Sequence, residues 1–434
     1  MLKKIFFSIC LLLVSGSSLA NEPTPVSWGG VALVAASDDV CDLAPHYMLL
    51  KNDKQFAVAL ESRLTATLEQ SLRERSDLKL LTGTNRMIDV ADDSFVLFMA
   101  ITADYVNSEF HEDFLVEYYN IETMVFVINI SQDESRRRLV TSVPVRIRFQ
   151  NATQGKFTTG LPLDARLQVF RNLFLTPAAL GGLEGGGVPD LVAEWSNQAS
   201  KIKLREKPSF LRVERTALSG GALATLAEGS VARAGLAVIP ERYAIKNGEI
   251  GCKGPFELSV QEQIPLRAAS VMEGRLSALL DMPVIPSGSN AFEGAKQQLI
   301  QEGKTITITP PDPDISVSLA VDAYQVTEVE QNGLLYKGFS SRVKFSVIDV
   351  TVNNQVVFDA ILGVSRMNPP STVQMSNSEQ LANLTQIIGR EAADAFGSNN
   401  HKWFLDNRSS QEERRPKDLK KQLETAWKRF APKL

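Results

Sequence analysis

The side chains that most often carry out chemistry are few in this chain, and they lie far apart. There are three histidines, His46, His111 and His401. No His-Glu-x-x-His or Cys-x-x-Cys motif occurs, so the sequence does not indicate a zinc site. His111 stands beside Glu112 and Asp113, and this polar run fits a solvated hairpin loop better than a cation site. We therefore expect neither a metal nor a cofactor.

Motifs for nucleophilic catalysis and phosphate binding are also missing. No Gly-x-Ser-x-Gly elbow occurs. The glycines of residues 181–187 lack the Gly-Lys-Ser/Thr ending of a phosphate-binding loop, so we interpret this segment as a flexible insertion. An enzyme with paired acidic residues stays open, because the proximity of two carboxylates is a tertiary fact. The sequence predicts a non-enzymatic protein.

A Glu-x-Arg-Leu motif occurs twice, as Glu61 with Arg63 and as Glu273 with Arg275. Residues two apart on a helix do not face each other, so neither motif should form an internal ion pair. We expect solvated helix faces, with a binding surface shared by the two motifs as the alternative.

These motifs belong to a longer internal similarity. The matching pairs of segments are 56–68 and 268–280, 97–109 and 317–330, and 123–130 and 342–350. The first pair has helical periodicity, and the other two pairs read as strands. We therefore predict that one structural unit has been duplicated within the chain, which favours a binding or assembly protein over an enzyme.

The local patterns predict mixed α/β structure in each copy. Short apolar runs at 31–35 and 236–240 read as buried first strands. Asn353 and Asn354 predict a tight turn between two strands, and Gly397 should end a helix over 380–396. The expected fold is two tandem small mixed-sheet domains with flanking helices, at 21–205 and 206–405, followed by a basic helical tail at 406–434.

The first twenty residues have the pattern of a signal peptide. Lys3 and Lys4 precede an apolar run at 5–14, and Ala20 ends a small-x-small cleavage pattern. The run is too short to span a bilayer, so we expect cleavage after Ala20. The expected location is the periplasm, with secretion as the alternative. The net charge of −4 argues against nucleic acid as a partner.

Two cysteines, Cys41 and Cys252, lie outside the predicted signal peptide, one in each copy. An oxidising compartment favours their pairing. A Cys41–Cys252 disulfide would tie the two copies together, and two separate buried thiols are the alternative.

The tail combines clustered cations with an apolar stripe. The residues that we consider for contact with a partner or an anionic membrane are Arg414, Arg415, Lys417, Lys420, Lys421, Trp427, Lys428 and Arg429. Leu419, Leu423, Trp427 and Phe430 recur at helical spacing. The helix is therefore expected either to dock its stripe on the second domain or to contact anionic lipid or a partner protein.

The order strand, helix, strand, hairpin and helix resembles a known family of small α/β modules. That family includes the amino-terminal domain of TolB, the curli secretion lipoprotein CsgG and the middle domain of the flagellar protein FlgT. The run at 236–240 and the Ile348-Asp349-Val350 strand carry the resemblance, whereas the first copy has Asn129 in place of the aspartate. The resemblance implies a non-catalytic periplasmic module used in envelope assemblies.

Together these features predict a non-enzymatic periplasmic scaffold or assembly factor of a cell-envelope machine, such as a flagellar basal body or secretion apparatus. Its expected partner is an envelope protein complex, with an anionic membrane surface as a further contact. The alternative function is a binding protein for a lipid, glycan or peptide held in the cleft between the copies.

Overall fold

A computed structural model of the chain describes most of its length. The described residues are 23–35, 44–82, 94–110, 113–131, 137–157, 160–181, 188–205, 207–230, 243–246, 249–252, 260–285, 297–301, 304–308, 311–331, 333–368 and 376–431. The predicted signal peptide at 1–20 lies outside these ranges.

The first half of the chain contains five strands and four α-helices within the described ranges. They are β1 (Thr24–Ala35), α1 (Pro45–Lys51), α2 (Lys54–Leu72), β2 (Leu78–Leu81), β3 (Ser94–Phe110), β4 (Phe114–Ile130), β5 (Arg138–Gln154), α3 (Leu163–Leu175) and α4 (Leu191–Ala199). A 3₁₀ turn at Pro177–Leu180 separates the last two helices.

The second half begins with short strands and ends with helices. Its elements are β6 (Leu211–Val213), β7 (Ala217–Leu218), α5 (Gly220–Ser230), β8 (Tyr243–Lys246), β9 (Glu249–Cys252), α6 (Val260–Leu280), β10 (Val284–Ile285), β11 (Gln297–Gln301), β12 (Lys304–Ile308), β13 (Ile315–Gln331), β14 (Leu334–Asp349), β15 (Gln355–Asn368), α7 (Asn377–Gly397), α8 (His401–Asp406) and α9 (Pro416–Phe430).

Two mixed sheets organise the protein, which confirms the predicted fold class. Sheet A has the order β12-β11-β1-β3-β4-β5, and β2 also pairs with β1. Sheet B has the order β10-β6-β13-β14-β15, and β7 also pairs with β13. In each sheet a parallel pair, β1 with β3 or β6 with β13, leads into an antiparallel meander of three strands.

The two meanders correspond in detail. The register shifts between Ile101 and Ala103 in β3, and between Val321 and Ala323 in β13. The next shift follows Val127 in β4 and Val347 in β14. The two sheets therefore share their strand order and the positions of their register shifts. A duplication of one ancestral unit stays a prediction.

Some elements differ from the sequence-based expectations. The first strand begins at Thr24, not at residue 31, because its early residues pair with both β2 and β3. In sheet B, the place that β1 has in sheet A is taken by β6, which lies upstream of the apolar run at 236–240. Residues 236–240 lie outside the described ranges. The predicted turn is confirmed, since Asn353 and Asn354 have φ values of 51° and 56°.

Helices cover one face of each sheet. The periodic residues Phe56, Leu60, Leu64 and Leu68 of α2 are buried against sheet A, together with residues of α3 and α4. In β4, Val125 and Val127 belong to this first core, whereas the alternate residues Met124, Phe126 and Ile128 belong to a second core. The second core also contains Met272 and Leu276 of α6 and the inner residues of sheet B. Helices of the second half therefore lie between the two sheets.

The halves are also joined at an edge of sheet A. Strands β11 and β12 come from the second half, and β11 pairs antiparallel with β1 at Leu33–Ala35. At the opposite edge of this sheet, the Ser142 hydroxyl of β5 donates to the Val284 carbonyl of β10. Chain from the second half thus meets sheet A at both edges and on one face.

Candidate functional site

We call the face of each sheet that lies opposite to its own helices the outer face. The outer face of sheet A packs against the second half, and it becomes polar towards one end. Tyr105, Asn120 and Arg148 are register neighbours on three adjacent strands, so their side chains share this face. Glu122 and Arg146 are the next register pair along β4 and β5. We call the space between this polar end and helices α6 and α7 the polar cleft.

Helices α6 and α7 supply the opposite wall of the polar cleft. Arg267 of α6 donates to the Glu379 carboxylate in the first turn of α7, at 2.8 Å. Both side chains are almost completely buried, with 2% and 3% exposed. Arg267 also donates to the side-chain oxygens of Asn383 (2.6 Å) and Gln386 (3.2 Å). Most hydrogen bonds of its guanidinium group are therefore made within the second half.

Arg148 extends this ion pair across to sheet A. Its guanidinium lies 3.7 Å from the Glu379 carboxylate and 4.3 Å from the centre of the Tyr118 ring. Burial, and then the neighbouring Arg267, lower the pKa of Arg148. Glu379 is thus one carboxylate shared by two arginines, one from each half of the chain. Burial also raises the pKa of Tyr105, so its hydroxyl stays protonated.

A cavity of about 150 Å³ opens beside this cluster. Sheet A contributes Thr102, Glu122, Thr123, Met124, Pro144, Val145 and Arg146, and α6 contributes Ser270, Val271, Glu273, Gly274 and Arg275. Arg146 Nε and Glu122 Oε1 are 3.2 Å apart, but they are not aligned for a hydrogen bond, and both atoms are buried. The cavity has room for a few water molecules or one small polar group.

The size of the cavity decides which ligands it could hold. Pockets for drug-sized ligands usually measure about 300–1,000 Å³. A lipid chain, an oligosaccharide or a peptide segment needs at least that volume, and the cavity of the polar cleft is at most half as large. The arrangement is better suited to holding the two halves together than to enclosing such a ligand.

The Glu-x-Arg motifs are only partly solvated, because Glu273 is buried while half of the Arg275 side chain is exposed. Arg63 donates to the Phe174 carbonyl and to Asp190, which caps α4. Arg275 correspondingly donates to Asp394 of α7 at 2.5 Å. Each motif therefore fixes its helix to a neighbouring helix. Sequence reasoning missed this because the partners lie more than a hundred residues away.

A buried hydrogen-bonded pair and a buried ion pair were also missed by sequence reasoning. His46 lies 2.6 Å from Asp104, whose carboxylate also accepts the backbone N–H groups of His46 and Tyr47 at the start of α1. Arg166 of α3 donates to Glu117 of β4 at 2.7 Å, with both side chains almost fully buried. These pairs fix α1 and α3 onto the end of the β3–β4 hairpin.

The tail forms the predicted amphipathic helix, α9. Leu419 and Leu423 are buried in the second core, and the Trp427 ring nitrogen donates to the Gly397 carbonyl at 2.9 Å. The apolar stripe is therefore docked on the second half, as in the first of the two expected arrangements. Upstream of α9, the backbone at Ile361 and Gly363 of β15 bonds to Ser409 and Asn407.

The cationic residues of the tail fall into two groups. Arg414, Arg415 and Arg429 all bind carboxylates of the same chain. Lys420 lies 3.8 Å from Glu424, at the limit of an ion pair. Lys417, Lys421 and Lys428 are exposed, and none of them forms an ion pair with any residue that the structure describes.

The predicted disulfide lies partly outside the described residues. Cys41 is not described, and Cys252 is described only as the last residue of β9. Strand β9 contacts α1, which begins four residues after Cys41. The pairing stays a prediction.

The described ranges contain neither a metal-ligand group nor a helix suited to crossing a membrane. There, no group of three or more His, Cys, Asp and Glu side chains is placed to hold a metal ion. In the same ranges, no helix has the length and apolar character needed to cross a membrane.

Comparisons with known proteins give little further information. No protein-family model matches this chain, and no curated protein matches it. Among solved structures, a hypothetical protein, CT253, from Chlamydia trachomatis is similar at 11% identity and a TM-score of 0.24, over 44% of this chain and 97% of that one. A minor lipoprotein from Acinetobacter baumannii is similar at 13% identity and a TM-score of 0.17, over 30% of this chain and 84% of that one. At these scores neither likeness carries a conclusion about function.

Proposed function

We propose that this chain is a non-enzymatic scaffold or assembly factor of a cell-envelope machine, such as a flagellar basal body or a secretion apparatus. The signal peptide predicted at 1–20 would place it in the periplasm. The resemblance to the TolB, CsgG and FlgT modules supports the same proposal, as does a duplication of one unit. The observation that carries it is an uncovered apolar surface at one end of sheet B.

This surface, the hairpin tip, consists of Val329, Leu334 and Met367. Their exposed fractions are 42%, 50% and 57%. The pairing of Val329 with Tyr336 and of Met367 with Gly338 places Val329 and Met367 on the same face as Leu334, which is the outer face of sheet B. Apolar side chains grouped in this way typically mark a protein–protein contact, whereas scattered ones do not.

The matching end of sheet A shows how such a hairpin is covered when it is part of the core. There Leu115, Val116, Tyr118 and Tyr119 are all buried. Helix α3 covers the Glu117 face of that hairpin, and Val116 and Tyr118 lie on its other face, which is turned towards the second half of the chain. The outer face at the tip of sheet B has no such cover among the described residues, and the partner that we propose there is a protein that presents an amphipathic helix.

The size of the polar cleft weakens the alternative function. A binding protein for a lipid, glycan or peptide needs a larger cavity than about 150 Å³ between the halves. The buried Arg148–Glu379–Arg267 cluster also closes this region, because opening it would separate charges that are paired across the halves.

The test is affinity purification of the mature chain from cross-linked cells, with partners identified by mass spectrometry. A V329T/L334Q/M367Q variant removes the apolar surface of the hairpin tip. A V58T/L223Q/V352T variant alters three other exposed apolar residues and serves as the matched control. We expect the wild type and the control variant to recover components of one envelope machine and the tip variant to lose them.

Two results would contradict the proposal in different ways. If the wild type recovered no component of an envelope machine, the scaffold function would be wrong. If the tip variant recovered the same components as the wild type, the function would stand, but the hairpin tip would not be the contact.

A further inference from the structure

Arginine and lysine have different surroundings on α9 and in the residues just before it. Arg414 lies 2.6 Å from Asp359, and Arg415 lies 2.7 Å from Asp418. Arg429 binds Asp349. Arg414 and Arg429 thus hold the tail on sheet B, whereas Arg415 pairs with Asp418 of α9. Lys417, Lys421 and Lys428 have no carboxylate within ion-pair distance among the described residues.

These three lysines form a ridge along one side of α9, which also contains Glu424 beside its neighbour Lys420. At 3.6 residues per turn they lie within about 40° of one another around the helix axis, over a length of about 17 Å. The buried residues Leu419 and Leu423 lie on the opposite side, against the second core. Because α9 is docked through that side, the lysine ridge faces solvent.

We propose that the lysine ridge binds the anionic phospholipid headgroups of a membrane surface while α9 stays docked. Lysine carries a compact charge on a flexible stem, and the arginines of the tail are already paired with carboxylates, so the lysines are the cations that face a membrane surface. The ridge is locally cationic on a chain of net charge −4, so the attraction would orient the molecule with α9 towards the membrane.

This mode differs from insertion of an amphipathic helix. An inserted helix would expose its apolar stripe to lipid, but here Leu419, Leu423 and the Trp427 ring nitrogen are engaged with the protein itself. The contact would therefore be electrostatic, reversible and sensitive to salt. The proposal rests on the proposed function only in placing the chain in the envelope.

The test is co-sedimentation of the mature chain with phosphatidylcholine vesicles, with and without phosphatidylglycerol, at low and high NaCl. The ridge variant is K417Q/K421Q/K428Q. The control K79Q/K201Q/K207Q removes the same charge from three exposed lysines elsewhere on the chain. We expect the wild type to bind only vesicles that contain phosphatidylglycerol. The affinity should fall about 10²-fold in the ridge variant and change little in the control variant.

Equal weakening in both variants would mean that net charge alone drives binding, which overturns the proposal. Binding that resists high salt and survives in the ridge variant would indicate insertion and also overturn it. No binding of the wild type to either vesicle would do the same. None of these results bears on the partners recovered from cross-linked cells, so the scaffold function is tested separately.

Discussion

Replacing Glu379 by glutamine tests whether the polar cleft holds the molecule together. The substitution keeps the size of the side chain but removes the one carboxylate shared by Arg267 and Arg148. Arg267 is only 2% exposed, so its charge would stay buried without compensation. Removing one member of a buried ion pair typically costs about 3–5 kcal/mol, and Arg148 should add less because it is more exposed.

The effect is measured by urea unfolding, monitored by tryptophan fluorescence. Trp28 and Trp195 report on the first half and Trp403 and Trp427 on the second, so both halves contribute to the signal. With an m-value of about 3 kcal/mol/M, the expected loss of stability lowers the urea midpoint by roughly 1–1.7 M.

A control and a rescue make this result specific. Glu424→Gln removes an exposed carboxylate 3.8 Å from Lys420 and should cost less than about 0.5 kcal/mol. The double variant R267M/E379L replaces the ion pair by apolar groups and should recover much of the loss. A cost below about 1 kcal/mol for Glu379→Gln, or no recovery in the double variant, would refute the role that we assign to the cluster.

Three further predictions concern other parts of the chain. Burial opposes ionisation of Glu412, but hydrogen bonds from the Arg414 side chain and from backbone N–H groups prevail and lower its pKa from 4.5 to about 2. The stability that ionised Glu412 contributes is therefore present above pH 4.5 and is lost as the pH falls towards 2. Between pH 4.5 and pH 2, the urea midpoint of Glu412→Gln should therefore fall less than that of the wild type. Peptide mapping without reduction should recover Cys41 linked to Cys252, and two alkylated free thiols would contradict this. Gly29→Ala should lower the free energy of unfolding by about 1–3 kcal/mol, because the new methyl group would overlap the Phe98 ring. An unchanged urea midpoint would contradict this packing.

The predictions from sequence worked best where a local pattern was sufficient. The four-residue spacing of Phe56, Leu60 and Leu64 defined α2, because a helix buries one stripe of side chains whatever its surroundings. The Asn353–Asn354 turn was also visible, because few residues other than glycine tolerate positive φ.

The polar cleft had no such local signal. Arg267 and Glu379 are separated by 112 residues, and each reads in isolation as a solvated charge on a helix. Strand β6 is only three residues long, and it forms between β10 and β13 because of tertiary pairing. The longer apolar run at 236–240 therefore gave a stronger pattern than the strand that occupies the position in the sheet.

The alternating residues of β4 and β14 give the two halves unequal roles. In β4 both faces are apolar, with Met124, Phe126 and Ile128 on the side covered by the second half. In β14 the corresponding outer side carries Lys344 and Ser346, and Lys344 has half of its side chain exposed. A first half expressed alone would leave its apolar sheet face in water and should aggregate, so it depends on the second half for solubility. Away from the hairpin tip, the outer face of sheet B is polar and needs no such cover, so the stacking ends after two modules.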